Sequence, residues 1–351
     1  MNTEKRQKFV VRVSCATFNH VKYITDAMNG FTMQETNFPF VCTIIDDAST
    51  DGEQEVIRQY LQEHFDLEDK SVVRNEETDD YVLTFAQHKT NRNCYFAVIY
   101  LKYNHYNIRK SKDQYVKRWA DIKYIALCEG DDYWTDSNKL KKQVNFLETH
   151  ADYTMCFHQA IEHCEDGTEE DHIFSTVEDR DYSGPEIFDK WTIATASVVL
   201  RRNILYSEIY QKATINPKFI YRDIITFLCC CHCGKIRGMS IPMCVYRRHA
   251  GGMTALYYNG DNQLRFAYHC LEVYHVFGEK YKNTSISKFF KEGVFFYFNS
   301  KESFVFPKII LLFDLFRIAP MQTASTFKDK IRDKVHIRKV MILAKIKNWK
   351  S

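Results

Sequence analysis

The chain has 351 residues, with 48 Lys and Arg against 45 Asp and Glu, for a formal charge of +3. At 45% hydrophobic and 26% charged it is no disordered chain, and 12 Gly and 6 Pro exclude a collagen-like or linker-dominated one. The length suits one large domain or two intimate ones, each able to bury a core.

In chain order, residues 1–8 are polar and carry no apolar run of the kind that marks a secretory signal. Phe9–Cys15, Val41–Ile45, Ser71–Arg74 and Lys123–Cys128 each predict a strand. They are short, rich in β-branched residues and nearly continuous in apolar character, as parallel strands covered on both faces are. Thr50-Asp-Gly-Glu53 has the form of a capping box and leads into the helical stripe Val56, Ile57, Tyr60 and Leu61. The polar stretch Glu76–Asp121 predicts helix. Asp136 or Ser137 caps a helix whose Leu140, Val144 and Leu147 share one face. Ile224–Cys233 predicts a further helix that stops at Gly234. Strands alternating with helices predict an open α/β sheet, mainly parallel and flanked by helices.

The last quarter differs in character. Leu264–Tyr281 suits an amphipathic helix, and Phe304–Ala319 is apolar but broken by Pro307, Lys308, Asp314 and Arg317. No run of about 18 apolar residues is present, so no helix is expected to span a bilayer. From Lys301 to Ser351 there are 12 Lys and Arg against 4 Asp and Glu, a local net of +8 that leaves −5 for the rest. That basic tail is either a solvated helix or a contact for an anionic membrane surface. No nucleic-acid-binding motif accompanies it. The twelve cysteines lie mostly in apolar runs, which predicts reduced thiols and a cytoplasmic protein. Adjacent residues of Cys229-Cys-Cys-His-Cys233 point in different directions on a helix, so packing is expected there rather than zinc.

In an open α/β sheet, ligands bind outside the carboxyl ends of the strands. The segments following three strands are Ala16-Thr-Phe-Asn-His20, Asp46-Asp-Ala-Ser-Thr-Asp51 and Glu129-Gly-Asp-Asp-Tyr-Trp134. One Asp-Asp after a strand is an ordinary turn signal. Two such clusters on one sheet edge repel unless a cation neutralises them. Carboxylates are ligands for Mg²⁺ or Mn²⁺, ions that also bind phosphate oxygens. The chain has neither a Gly-x-x-x-x-Gly-Lys-Ser/Thr loop nor a Gly-x-Gly-x-x-Gly after the first strand, which argues against a P-loop kinase or an NAD enzyme.

Together, Val13-Ser-Cys-Ala-Thr-Phe-Asn-His20, Ile45-Asp-Asp-Ala-Ser-Thr-Asp-Gly52 and Cys128-Glu-Gly-Asp-Asp-Tyr-Trp134 resemble the family 2 glycosyltransferases of GT-A fold. The resemblance extends through Asp136-Ser-Asn-Lys-Leu140 with Gln143, Thr195–Arg202, Tyr221-Arg-Asp-Ile-Ile-Thr-Phe-Leu228 and Val245-Tyr-Arg-Arg-His-Ala-Gly-Gly252, about the first three quarters of the chain. It implies an inverting, metal-dependent transferase of the bacterial surface-polysaccharide type. The catalytic domain would cover 1–255, with a nucleotide-sugar-binding half at 1–135 and an acceptor half at 136–255. A helical, basic region would occupy 256–351.

By that resemblance Thr17 and Asn19 line the nucleotide, and Asp46 or Asp47 contacts the base or ribose. Glu129-Gly-Asp131 stands where the family has Asp-x-Asp. Asp131 would hold Mn²⁺ or Mg²⁺, with Asp132 as helper and His249 as the late residue that reaches the metal or diphosphate. Arg247 would bind phosphate oxygens. Asp223 would be the base that deprotonates the acceptor, against the plainer reading of a helix cap. The implied donor is a UDP- or GDP-sugar, and the acceptor a glycan or lipid-linked glycan at the inner face of the plasma membrane. A sugar nucleotidyltransferase and a non-catalytic carbohydrate-binding relative are the alternatives.

Overall fold

β-branched and aromatic runs with apolar residues on both faces have to be covered on both faces, and here they form the middle of one sheet. The structure is a computed structural model and describes residues 8–108, 110–252, 260–300, 305–329 and 332. Its elements in the first half are β1 (Val11–Thr17), α1 (Ile24–Thr32), β2 (Phe40–Asp46), α2 (Glu53–His64), β3 (Phe65–Asp66), β4 (Arg74–Glu77), β5 (Tyr81–His88), β6 (Cys94–Leu101), α3 (Asp113–Val116), β7 (Tyr124–Leu127), β8 (Tyr133–Trp134) and α4 (Lys139–Thr149). There follow β9 (Tyr153–Cys164), β10 (His172–Ile173), β11 (Asp181–Tyr182), α5 (Gly184–Asp189), β12 (Val199–Arg201), α6 (Glu208–Ile215), α7 (Arg222–Cys233), β13 (Lys235–Arg248), α8 (Gly260–Phe277), α9 (Lys282–Asn299) and α10 (Val305–Ile318).

The sheet runs β11-β13-β9-β12-β7-β1-β2-β6-β5-β3. Its centre, β7-β1-β2-β6, is parallel. β12 joins β7 and β5 joins β6 in antiparallel fashion. Every residue of β2 and β6 is buried, which is what a central strand covered on both faces requires. On one face α1 lays down Ile24, Ala27, Met28 and Phe31, with Phe31 edge-on to Trp134 at 5.0 Å. Gly30 permits that approach, because a Cβ there would stand 2.8 Å from the Trp134 backbone nitrogen. Removing Phe31 to Ala would cost about 3–5 kcal/mol.

Three local expectations are corrected. Ser71–Val73 lies outside the strands. β4 begins at Arg74, pairs antiparallel with β5 and is mostly exposed. The stretch 76–121 is mainly a strand hairpin, not helix. Tyr81-Val-Leu-Thr-Phe and Cys94-Tyr-Phe-Ala-Val-Ile are β-branched and aromatic, and the turn-forming Thr90 and Asn91 separate them. The polar residues that bracket this hairpin hid it. The capping box at Thr50 does not form. Gly52, at φ 97°, is the cap residue of α2, and the Glu53 carboxylate turns inward instead.

The chain divides into two compact units, Met1–Ile215 with Tyr221–Gly252, and Asn216–Ile220 with Met253–Ser351. The first contains the sheet. The second has its own core of Ala267, Leu271, Phe289, Phe296, Leu311 and Leu315 from α8, α9 and α10. Within it, Lys218 pairs with Glu272 at 2.7 Å, and the Ile220 amide donates to His269 Nδ1 at 3.1 Å. Among the described residues no helix is long and apolar enough to cross a membrane. Most of the basic tail, including 333–351, lies outside the described residues.

Candidate functional site

The carboxyl ends of β1, β2 and β7 adjoin, so the three loops read from the sequence meet at one edge of the sheet. β1 ends at Thr17, whose hydroxyl donates to the buried carboxylate of Glu53. Glu53 also accepts from the His20 amide at 2.9 Å and from Ser49 Oγ at 2.8 Å. It thus ties the β1 loop to the β2 loop. Burial raises its pKa, and these hydrogen bonds oppose the rise. Asn19, at a left-handed φ of 57°, reinforces the tie. Its amide donates to Ser49 Oγ and its side-chain oxygen accepts from the Thr50 amide.

The acidic loop after β7 closes on the same point. The Gly130 amide donates to Ala16 O at 3.0 Å. A Cβ on Gly130 would stand 2.1 Å from Thr17 Oγ1, so only glycine lets this loop lie against β1. Asp131 is thereby delivered to His20 and His249. Asp131 Oδ2 is 3.1 Å from His249 Nε2 and 3.7 Å from His20 Nε2, and one ligand atom from each of the three residues lies within 4.8 Å of the others.

Three observations say that this cluster fits a divalent cation. Among the described residues, Asp131 Oδ1 is buried with no hydrogen-bond partner. Thr17 spends its one proton on Glu53, so its contact with His20 Nδ1 at 3.2 Å makes that nitrogen the donor. His20 Nε2 then carries a lone pair facing a carboxylate, an arrangement that is repulsive without a cation between them. Burial lowers the His20 pKa against the pull of Asp131, which keeps the ring neutral and able to ligate. Burial would raise Asp131, but the hydrogen bond to His249 holds it below the usual carboxylate range.

The other expected residues are placed as follows. Asp132 lies apart from the cluster. It is 2% exposed, accepts the Arg247 amide at 2.9 Å and is raised by burial and by Asp131. Arg247 is spent on protein groups. Its Nε donates to Asp131 O at 2.8 Å, its terminal nitrogens reach Glu165 and Asp26, and it stacks over Tyr23 and Tyr133 at 4.8 Å from each ring. It braces the acidic loop from behind. Asp46 is fully buried, bonded through Oδ1 to Ser49 N and Gln54 Nε2, with Oδ2 unpartnered among the described residues. Asp47 accepts from the His105 amide at 2.7 Å, from the Tyr106 amide at 3.1 Å and from Lys112 Nζ at 2.8 Å.

Glu129 reaches solvent, yet the protein around it, followed by Asp131 and Asp223, pushes its carboxyl up to about 8, with Lys112 opposing. Asp223 therefore acts electrostatically on the same cluster. It sits in the first turn of α7, one residue inside Arg222, while Tyr221 is the cap residue. Burial raises its pKa, and the amides of Ile224 and Asp223 moderate the rise. The sequence does not single out His20, and it suggests Glu53 only as a capping residue. Glu53 was masked by its resemblance to a capping residue, and His20 shows its value only once Asp131 and His249 are beside it.

No family model matches the chain. Uncharacterized proteins of Mycobacterium tuberculosis and Mycobacterium bovis are 34% identical to it over 237 residues, 68% of this chain. The chain spans 58% of the length of these curated relatives. Among solved structures, S. aureus TarS residues 1–349 in complex with UDP-GlcNAc aligns with a TM-score of 0.56 at 15% identity, covering 90% of this chain and 83% of that one. The same protein with UDP aligns with a TM-score of 0.55 at 14% identity, again over 90% and 83%. The chain shares the fold of these structures, a GT-A fold.

Proposed function

We propose that this protein transfers a sugar from a nucleotide-diphosphate donor to a hydroxyl of a glycan or lipid-linked glycan, with inversion at the anomeric carbon and dependence on a divalent ion. The convergence of His20, Asp131 and His249, with a buried carboxylate oxygen left over, carries this reading. The fold it shares with TarS, which is solved with UDP-GlcNAc and with UDP, supports a UDP-sugar donor, with a GDP-sugar as the alternative. What a divalent ion supplies at such a site is stabilisation of the charge gathering on a leaving diphosphate. Two imidazoles beside one carboxylate suit Mn²⁺ better than Mg²⁺, which prefers oxygen ligands.

The residues then divide the work. Asp223 takes the proton of the acceptor hydroxyl as that oxygen forms its bond to the anomeric carbon. The bond from that carbon to the diphosphate breaks on the opposite face, so one displacement inverts the centre. A carboxylate raised by burial and fixed by helix amides is a better base than a solvated one. Glu129 contacts the donor, and its crowding with Asp131 and Asp223 favours one shared proton while no cation is bound. Thr17, Asn19 and Glu53 hold the loops in register. Asp46 is the better candidate of its pair for a nucleoside contact, because Asp47 is already committed to the loop that carries His105, Tyr106 and Lys112.

The test is a panel of UDP- and GDP-sugars read by thermal stabilisation with and without Mn²⁺, followed by transfer assays on Asp223→Asn. One donor should stabilise the protein only with Mn²⁺, and the variant should keep that stabilisation while losing transfer. Stabilisation by no nucleotide sugar would sink the proposal. Pyrophosphate release from a nucleoside triphosphate and a sugar phosphate would replace it with nucleotidyl transfer.

A further inference from the structure

We propose that the C-terminal unit docks on an anionic lipid bilayer through the outer face of α10, a contact that stands apart from the sugar-transfer reading. α10 has two apolar faces. One packs Leu311 and Leu315 into the core of its unit with Phe289 and Phe296 of α9. The other shows Phe306 and Phe313 at 74% exposure, Ile309 and Ile310 at 47%, and Phe316 at 43%. Residues spaced 3, 4, 7 and 10 apart share one side of a helix, so these five make a single stripe. Large apolar side chains scattered singly over a surface are ordinary, whereas a continuous stripe marks an interaction face.

Charge selects the occupant. Asp314, the acid of α10, accepts from Tyr268 at 2.8 Å and from Arg317 at 2.9 Å, so it is engaged with its own unit. Arg317 lies at the end of the stripe, and residues 328–351 then carry nine Lys and Arg against Asp329 and Asp333. An apolar helix face in a chain whose sequence continues into a basic segment matches the chemistry of the bilayer interface, where aromatic and aliphatic groups enter the acyl boundary and basic groups meet anionic headgroups. A second copy is the poorer occupant, because it would add another equally basic segment to the assembly and no opposite charge. With 14 residues α10 cannot span the hydrocarbon, so it would lie in the plane of the interface.

Co-sedimentation of the full chain with vesicles tests this without any activity assay. Binding to phosphatidylglycerol-containing vesicles should exceed binding to pure phosphatidylcholine vesicles, weaken with salt, and fall roughly tenfold or more in Phe306→Ser/Phe313→Ser. Phe313→Trp keeps the face apolar and guards against a misfolded double variant. Its added indole emission should shift blue on those vesicles and be quenched by brominated lipid. Absence of binding, binding indifferent to the double variant, or an indole emission that stays unshifted in the Phe313→Trp variant would overturn the proposal. Stripe-dependent dimerisation without vesicle binding would hand this face to a second copy instead.

Discussion

Two loops of this protein carry the same Asp-Asp signal at the end of a parallel strand, and they do different things. After β2, Asp47 is saturated by two backbone amides and Lys112, and it fastens the loop of His105 and Tyr106 to the sheet edge. After β7, Asp131 meets two imidazoles and, among the described residues, keeps one buried oxygen without a partner. Under the proposed function, what separates a structural carboxylate from a metal-binding one is whether its lone pairs are already used. Sequence spacing is blind to that. The contrast is testable, because one aspartate should carry turnover and the other mainly stability.

The largest effect is expected at Asp131. Asp131→Asn removes the charge between two imidazoles and should lower transfer by about a thousandfold, the weight of a few kcal/mol of transition-state stabilisation. It should also abolish Mn²⁺-dependent thermal stabilisation. A variant that still turned over within tenfold of the parent would erase the distinction between the two loops.

His20 comes next. His20→Ala should weaken Mn²⁺ binding by about 10–100-fold, read from a metal titration of the thermal shift, while donor binding at saturating Mn²⁺ persists. An unchanged titration would show that His20 only lines the cluster. Thr17→Val is a finer version of the same test. It deletes the hydroxyl that accepts from His20 Nδ1 and donates to Glu53, so it should move the titration in the same direction by less.

Gly130→Ala follows, and here geometry alone makes the prediction. The new methyl meets Thr17 Oγ1, and displacing a buried, bonded Thr17 should cost about 1–3 kcal/mol in unfolding free energy and loosen the acidic loop. A melting temperature equal to the parent's would mean that the loop is free to move off β1.

The legible part of this molecule was its parallel centre. Val11–Thr17, Phe40–Asp46 and Tyr124–Leu127 announce themselves as short apolar runs, and each is followed by the polar loop that matters. β5 and β6 were missed because exposed polar residues surround them, although Cys94–Leu101 is apolar over nearly its whole length. At the site, Asp131 and His249 could be anticipated from the motifs that contain them. Asp132 and Arg247 share those motifs yet turn to each other and to Glu165 and Asp26, a choice made by packing across β8 and β13. Glu53 defeats local reading altogether. Its spacing from Thr50 suits a cap, but two of its partners, Thr17 and His20, lie more than thirty positions upstream.

The smallest effect on turnover is expected at Asp47, and it closes the comparison. Asp47→Asn keeps the shape but removes the charge paired with Lys112, and the amide cannot present two accepting oxygens to His105 N and Tyr106 N. One buried amide is left short of a partner, at a cost of about 1–3 kcal/mol. The melting temperature should fall, and amide exchange across the 104–112 loop should quicken. Transfer per folded molecule should stay within a few-fold of the parent, since the groups that touch the donor and acceptor in this proposal are elsewhere. If Asp47→Asn instead abolished transfer at unchanged stability, the saturated carboxylate would be a ligand for the donor after all, and the lone-pair criterion that separates the two loops would fail.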